Sequence, residues 1–253
     1  MFESRSTSEK QSMNTTQQPV AIVTGASSGI GLGLTQTLLE RGWRVIGTSR
    51  TICSSKNLTP SPDLVLVDGN VSKKETAIKV VDAAVKHFGR VDLLVNNAGI
   101  YMPKVFTEYT EEDYNLVMNT NVSSFFYMTQ QVIPQMKKQN SGHVVSIAGA
   151  SVDQPSSAAS ELLAVLSKAP LPAASKALAL EYAANNIRFN TVSPAIINTR
   201  MHAKANHAEL AKLLPLARIG EVSDIVDAVV YLQSATFVTG ENIRVDGGVH
   251  AGR

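Results

Sequence analysis

The 253-residue chain is poor in cysteine, in tryptophan and in charge: one Cys, one Trp, and 17% Asp, Glu, Lys and Arg together. A lone Cys53 excludes an internal disulfide and any metal site built from several thiolates. Five histidines are present, His202 and His207 among them, but no HExxH or comparable ligand spacing occurs, and no metal is expected. Long apolar runs are absent too, and none approaches the roughly 20 residues of a membrane-spanning helix. The net charge is only +2 and the basic residues are scattered, which argues against a nucleic-acid partner. Residues 1–18, MFESRSTSEKQSMNTTQQ, are polar and lack an apolar core. They predict a disordered leader rather than a signal peptide, and a cytoplasmic protein.

What is present is a globular pattern. An apolar share of 44% over this length suits one α/β domain, expected over 19–253, with a sizeable core. Strand-like runs fall at 20–24, 44–48, 64–67, 92–95, 143–147, 187–192 and 242–245. Helix-like stretches lie between them near 30–42, 72–88, 111–139, 157–186 and 222–233. This alternation predicts right-handed βαβ units and a doubly wound parallel sheet covered on both faces.

The first strand runs directly into TGASSGIG, residues 24–31. Gly25, Gly29 and Gly31 suit a tight turn that lets backbone approach a pyrophosphate, with the amides of the next helix facing it. Three glycines alone are a weak signal, but their place between first strand and first helix makes a dinucleotide site the better reading. The second strand ends in VIGTSR, where folds that prefer NAD usually carry a carboxylate for the ribose. Here Ser49 is followed by Arg50, a pairing that suits a 2′-phosphate and favours NADP(H) over NAD(H).

TGASSGIG, NNAG at 96–99, MNTNV at 118–122, SPAIINT at 193–199 and VTGENIRVDGG at 238–248 together resemble the short-chain dehydrogenase/reductase family over residues 19–249. The resemblance implies a single-domain Rossmann fold with a seven-stranded parallel sheet, a small-molecule substrate over the carboxyl ends of the strands, and a homodimer or homotetramer. It implies that Ser27, Ser28, Ile30 and Arg50 surround the phosphates and adenosine ribose. Asn97, Ala98 and Gly99 would line that ribose and steady the sheet, and Pro194, Ile197 and Thr199 would contact the carboxamide. The family's adenine-binding aspartate corresponds to Asn70, unless Asp68 takes the role, and the glycine after the proline is replaced by Ala195.

The chemical end departs further. The family uses a tyrosine, a lysine four residues later, a serine and an asparagine to deliver and relay a proton. Asn121 fits the asparagine. Lys168 and Lys176 both resemble the lysine, and the distance to Pro194 selects Lys168, which could also bond the ribose hydroxyls. The tyrosine position is then Ala164, and a methyl group donates no proton. The serine falls on Gly149 counted from the fifth strand, or on Ser151 counted back from Lys168. Pro170 and Pro172 predict a kink or break that would displace Lys168, since a mid-helix proline costs about 3 kcal/mol or more. Asp153 is the nearest substitute acid, with Glu161 and Tyr101 behind it.

A positioned acid contributes about 10²–10⁴-fold and an oxyanion donor about 10²–10³-fold, so their loss bears on the substrate. An iminium carbon accepts hydride without a simultaneous proton, and a conjugated alkene takes its proton later. The expectation is an NADP(H)-dependent oxidoreductase acting on a small carbonyl, imine or enone with a non-standard proton donor. The alternatives are a non-redox cyclase or isomerase using Asp153, or a cofactor-binding protein without chemistry. The segment 200–220 is expected to be helix-prone and lid-like, with His202 and His207 near the substrate or in solvent.

Overall fold

Val20 to Thr24, VAIVT, is apolar at consecutive positions because both of its faces are covered. Val20 and Ile22 enter one core and Ala21 and Val23 the other, all fully buried. In the computed structural model, residues 17–153 and 160–252 are described. Most of the expected leader, residues 1–16, lies outside them. Gln17 and Gln18, expected within it, belong instead to the folded part: Gln17 Nε2 donates to the Phe88 carbonyl and Gln18 Oε1 accepts from Arg44 Nε.

Seven strands form one sheet: β1 (Val20–Thr24), β2 (Arg44–Ser49), β3 (Leu64–Asp68), β4 (Leu93–Asn96), β5 (Gly142–Ile147), β6 (Ile187–Pro194) and β7 (Asn242–Val245). Their order is β3-β2-β1-β4-β5-β6-β7 and every pairing is parallel. The chain leaves β1 toward one edge and then returns to β4 on its other side. The order therefore reverses between β1 and β4, where the carboxyl ends of two diverging strands open a crevice for a ligand.

The helices are α1 (Gly29–Glu40), α2 (Lys74–Phe88), α3 (Glu111–Met118), α4 (Ser124–Gln139), α5 (Leu162–Lys168), α6 (Pro170–Glu181), α7 (His207–Ala211) and α8 (Val222–Ser234). Val80, Met128, Val132 and Ala179 bring α2, α4 and α6 to one face, and Leu34, Leu38, Ile225 and Val229 bring α1 and α8 to the other. The helical pattern expected over 111–139 is one rod with a π-helical turn at Asn119–Ser123.

The expected break at the prolines occurs at Ala169, which links α5 to α6 in helical geometry. Pro170 opens α6, where a missing N–H costs nothing because first-turn amides have no intrahelical acceptor.

At the far end of the sheet a buried polar knot joins β5, β6 and α8. His143, 1% exposed, places Nδ1 2.9 Å from Gln233 Oε1 and Nε2 3.0 Å from Asn190 Nδ2. A neutral ring with its proton on Nδ1 satisfies both partners. Burial, then the nearby Arg188 guanidinium, pushes the imidazole down to about 3.

Candidate active site

The carboxyl ends of β1 and β4 are tied by one side chain. Thr24 Oγ1 accepts from the backbone N–H groups of Asn97 and Ala98, each at 2.9 Å, while Asn97 Nδ2 donates to the Thr24 carbonyl at 2.8 Å. Gly25 follows with φ +68°, and a Cβ there would stand 2.8 Å from Asn97 Nδ2. A Cβ on Gly31 would run into the Gly25 carbonyl oxygen. Both positions need glycine, one for conformation and one for closeness. The result is a tight turn over the switch point that delivers the chain into α1.

Ser28, the N-cap of α1, is extended and makes no side-chain cap, and the first turn of α1 has no acidic residue. Among the described residues no side chain caps its leading amides, which suits them to an anion. Asn57, which the sequence reading did not single out, donates from Nδ2 to the Ser27 carbonyl at 3.3 Å and straps the β2–β3 connection across the turn. Nothing in the local sequence around Asn57 signals this role, because the partner is 30 residues away.

Arg50 is exposed just beyond β2. Asn70 accepts from the Ser72 N–H and so closes a local turn. Asp68 accepts from the Cys53 N–H at 2.8 Å, a bond that lowers its pKa and fixes the Ile52–Ser54 turn.

The nicotinamide side is framed by the segment after Pro194. Ile197 is buried and bridges to Gly220, and the Thr199 methyl would lie 3.3 Å from a Cβ on Gly29, which brings this segment against the phosphate turn. His202 and His207, expected near the substrate or in solvent, are tied into the backbone of this segment. His202 Nδ1 bonds the Ile197 carbonyl and His207 Nε2 bonds the His202 carbonyl.

The residues expected at the chemical end lie around Asn121 and Lys168. Asn121 sits in the π-helical turn, 4% exposed. Its Oδ1 accepts from the Ile100 N–H at 2.8 Å, and its Nδ2 donates to the Ile100 carbonyl at 3.0 Å and to Ser167 Oγ at 2.9 Å. Ser167 also donates to the Leu163 carbonyl, so the Asn121 amide is held on both sides. Ser167 was not foreseen, because its partner Asn121 lies 46 residues away along the chain.

Lys168 is not displaced by the prolines that follow it. Its Nζ donates to the Ile147 carbonyl at 2.8 Å and lies 3.3 Å from where a Cβ on Gly99 would stand. Because Pro170 begins a new helix, α5 keeps its own register and Lys168 its aim. Burial alone lowers the Lys168 ammonium to about 8.

The two counts for the serine meet in space. A Cβ on Gly149 would lie 3.8 Å from Ser151 Oγ, 3.8 Å from Lys168 Cδ and 4.0 Å from the Pro194 carbonyl. The Ser151 hydroxyl thus stands beside the place a residue-149 hydroxyl would occupy. Ala164 is buried within α5. Asp153 is engaged by Arg244, whose Nε donates to Oδ2 at 2.6 Å. Tyr101, at the surface two residues after Gly99, has its phenol raised by burial and then by the charge of Glu161.

A parallel sheet with a glycine turn at its switch point defines a Rossmann-type dinucleotide fold, and a partly buried lysine stands at the carboxyl end of β5. A family model described as enoyl-(acyl carrier protein) reductase matches residues 25–250, and the chain belongs to the short-chain dehydrogenase/reductase family. It is similar to the 3-oxoacyl-[acyl-carrier-protein] reductase FabG of Salmonella typhimurium, 34% identical over 241 residues that cover 91% of this chain and 97% of that protein. The FabG of Escherichia coli strain K12 is 33% identical over the same shares. Among solved structures, the 3-ketoacyl-(acyl-carrier-protein) reductase of Brucella melitensis complexed with NADH superposes with a TM-score of 0.86 at 26% identity, covering 92% of this chain and 98% of that one. ElxO with NADP bound superposes at 0.83 and 25% identity, covering 93% and 100%. Among the described residues no helix is long and apolar enough to cross a membrane.

Proposed function

We propose that the chain is an NADP(H)-dependent reductase of a small organic carbonyl, imine or enone, working without a phenol at position 164. The observation that carries this reading is the convergence of Asn121, Lys168 and Ser151 on Gly99 and Gly149, beside a turn built for a dinucleotide phosphate. The residues fit the cofactor. Gly25 and Gly31 permit a tight turn that a Cβ at either position would break, and that turn leads into the uncapped first turn of α1. Arg50 would hold the 2′-phosphate by charge-assisted hydrogen bonds, and Lys168 the nicotinamide ribose. Ser27, Ser28 and Ile30 would line the phosphates, and Pro194, Ile197 and Thr199 the carboxamide.

When bound, the reduced nicotinamide supplies hydride to the substrate carbon. The chain's own residues then manage charge. Ser151 donates a hydrogen bond to the substrate oxygen from two positions beyond the strand-counted site, and Asn121 anchors the Ile100 backbone that walls the pocket. The Asp153 carboxylate is engaged by Arg244 rather than turned to a substrate, which weakens the non-redox alternative. The relatives' names support two of the three substrate types: FabG is named for a 3-oxoacyl carbonyl and the family model for an enoyl group. Exposed Phe126, Leu180, Tyr231 and Phe237 support a homodimer or homotetramer.

The test is fluorescence titration with NADPH and NADH, followed by steady-state NADPH oxidation against ketones, imines and enones. Turnover of at least one class with tighter NADPH binding is the expected result. Binding without turnover of any probe would sink the assignment.

A further inference from the structure

A reductase of this fold needs a proton at the substrate, and residue 164 is a methyl. Asp153 is paired with Arg244, and the Tyr101 phenol is made a weaker acid by burial first and then by the charge of Glu161. Lys168 differs from both. Its Nζ lies in the space framed by Gly99, the Ile147 carbonyl and the Asn121 amide, and its Cδ passes Gly149. Its one hydrogen bond among the described residues goes to Ile147, so two of three ammonium protons have no acceptor there.

We propose that the Lys168 ammonium is itself the proton donor, a task distinct from holding the ribose. The inference rests on the reductase reading above. In the step, the two electrons and the hydrogen at carbon come from reduced nicotinamide. The carbonyl π pair closes a new O–H bond as one Nζ–H bond of Lys168 breaks, and the lysine is left neutral. Solvent returns its proton, because the side chain is only half-buried. With an enone the same proton goes to the α-carbon after hydride reaches the β-carbon.

The chemistry of the surroundings agrees. Among the described residues, those placed around the Lys168 Nζ are the Ile147 carbonyl, the Gly99 backbone and the Asn121 amide, none of which ionises in the working range. Burial is the only cause of the lowered lysine, which brings it to about 8, close to the operating pH where a general acid is most effective.

The test uses the full chain with saturating NADPH and whichever probe turns over, comparing wild type with Lys168→Arg and Lys168→Met between pH 6 and 10. Arginine keeps the charge and the ribose contacts but does not release a proton in this range. Lys168→Arg should keep NADPH affinity within about threefold by fluorescence while kcat falls by about 10²–10⁴-fold. Wild-type kcat should be level below about pH 8 and fall roughly tenfold per unit above it, a limb that both variants lose. Added ethylammonium should restore turnover to Lys168→Met.

On the free protein, competitive acetylation read by mass spectrometry should give Lys168 a midpoint near 8. A Lys168→Arg protein that binds NADPH and keeps kcat within about tenfold overturns the proposal and leaves the reductase reading standing. A wild-type chain that binds NADPH and reduces no probe overturns that reading instead.

Discussion

Ser151 and Arg50 are the side chains whose assigned work is most directly measurable. Removing the Ser151 hydroxyl should lower kcat by up to about 10²–10³-fold with NADPH affinity unchanged, the signature of a group that meets the substrate oxygen. The companion change is Gly149→Ser. Its Cβ would meet only ordinary contacts at 3.8–4.0 Å, so Gly149→Ser in a Ser151→Ala background should fold and recover most of the lost rate. Arg50→Ala should weaken NADPH binding by roughly 10–100-fold, the worth of a charged hydrogen bond, and leave NADH unaffected. Fluorescence titration with both dinucleotides separates a 2′-phosphate contact from a general loss of the site. These roles were readable as residue types at positions. That Ser151 and Gly149 describe one place was not, because the fold of the loop after β5 brings them together.

The α5–α6 junction shows how a sequence rule applies differently once helix ends are known. Two prolines within three residues predict damage to a single long helix, and the chain avoids it by beginning a second helix at the first of them. Pro170→Ala should therefore change stability by less than about 1 kcal/mol in urea denaturation, since an N1 proline occupies a position that suits it. Relief of a proline trapped in a helix interior would instead stabilise by about 3 kcal/mol. At the other end of the site, the π-helical turn at Asn119–Ser123 places Asn121 toward Ile100 and Ser167. A regular 3.6-residue period over 111–139 carries no mark of it.

The molecule as a whole is set by the covered sheet and by the polar knot at its far end. His143 must stay neutral to donate to Gln233 and accept from Asn190, and its folded pKa is pushed down to about 3. The unfolded chain takes up a proton near 6.5 that the folded chain refuses, so the stability linked to this residue is complete above 6.5. It is lost on acidification at up to about 1.4 kcal/mol per pH unit, down to about 3. His143→Gln should flatten that acid limb in denaturant titrations between pH 4 and 6.5, even if it costs stability at pH 7. His143 passed unremarked in the sequence, because a histidine opening an apolar strand has no local sign of the Arg188, Gln233 and Asn190 that surround it.

Seven apolar runs, the helical stretches between them and a glycine turn at the first junction were sufficient to imply the sheet, its parallel sense and the cradle for a dinucleotide. Those features follow from periodicity, chain handedness and backbone freedom, which are local. The lysine's aim, the meeting of residues 149 and 151, the capture of Asp153 by Arg244 and the Asn57 strap depend on segments separated by dozens of residues. Their distances are fixed by packing against the sheet, and no pattern along the chain encodes them.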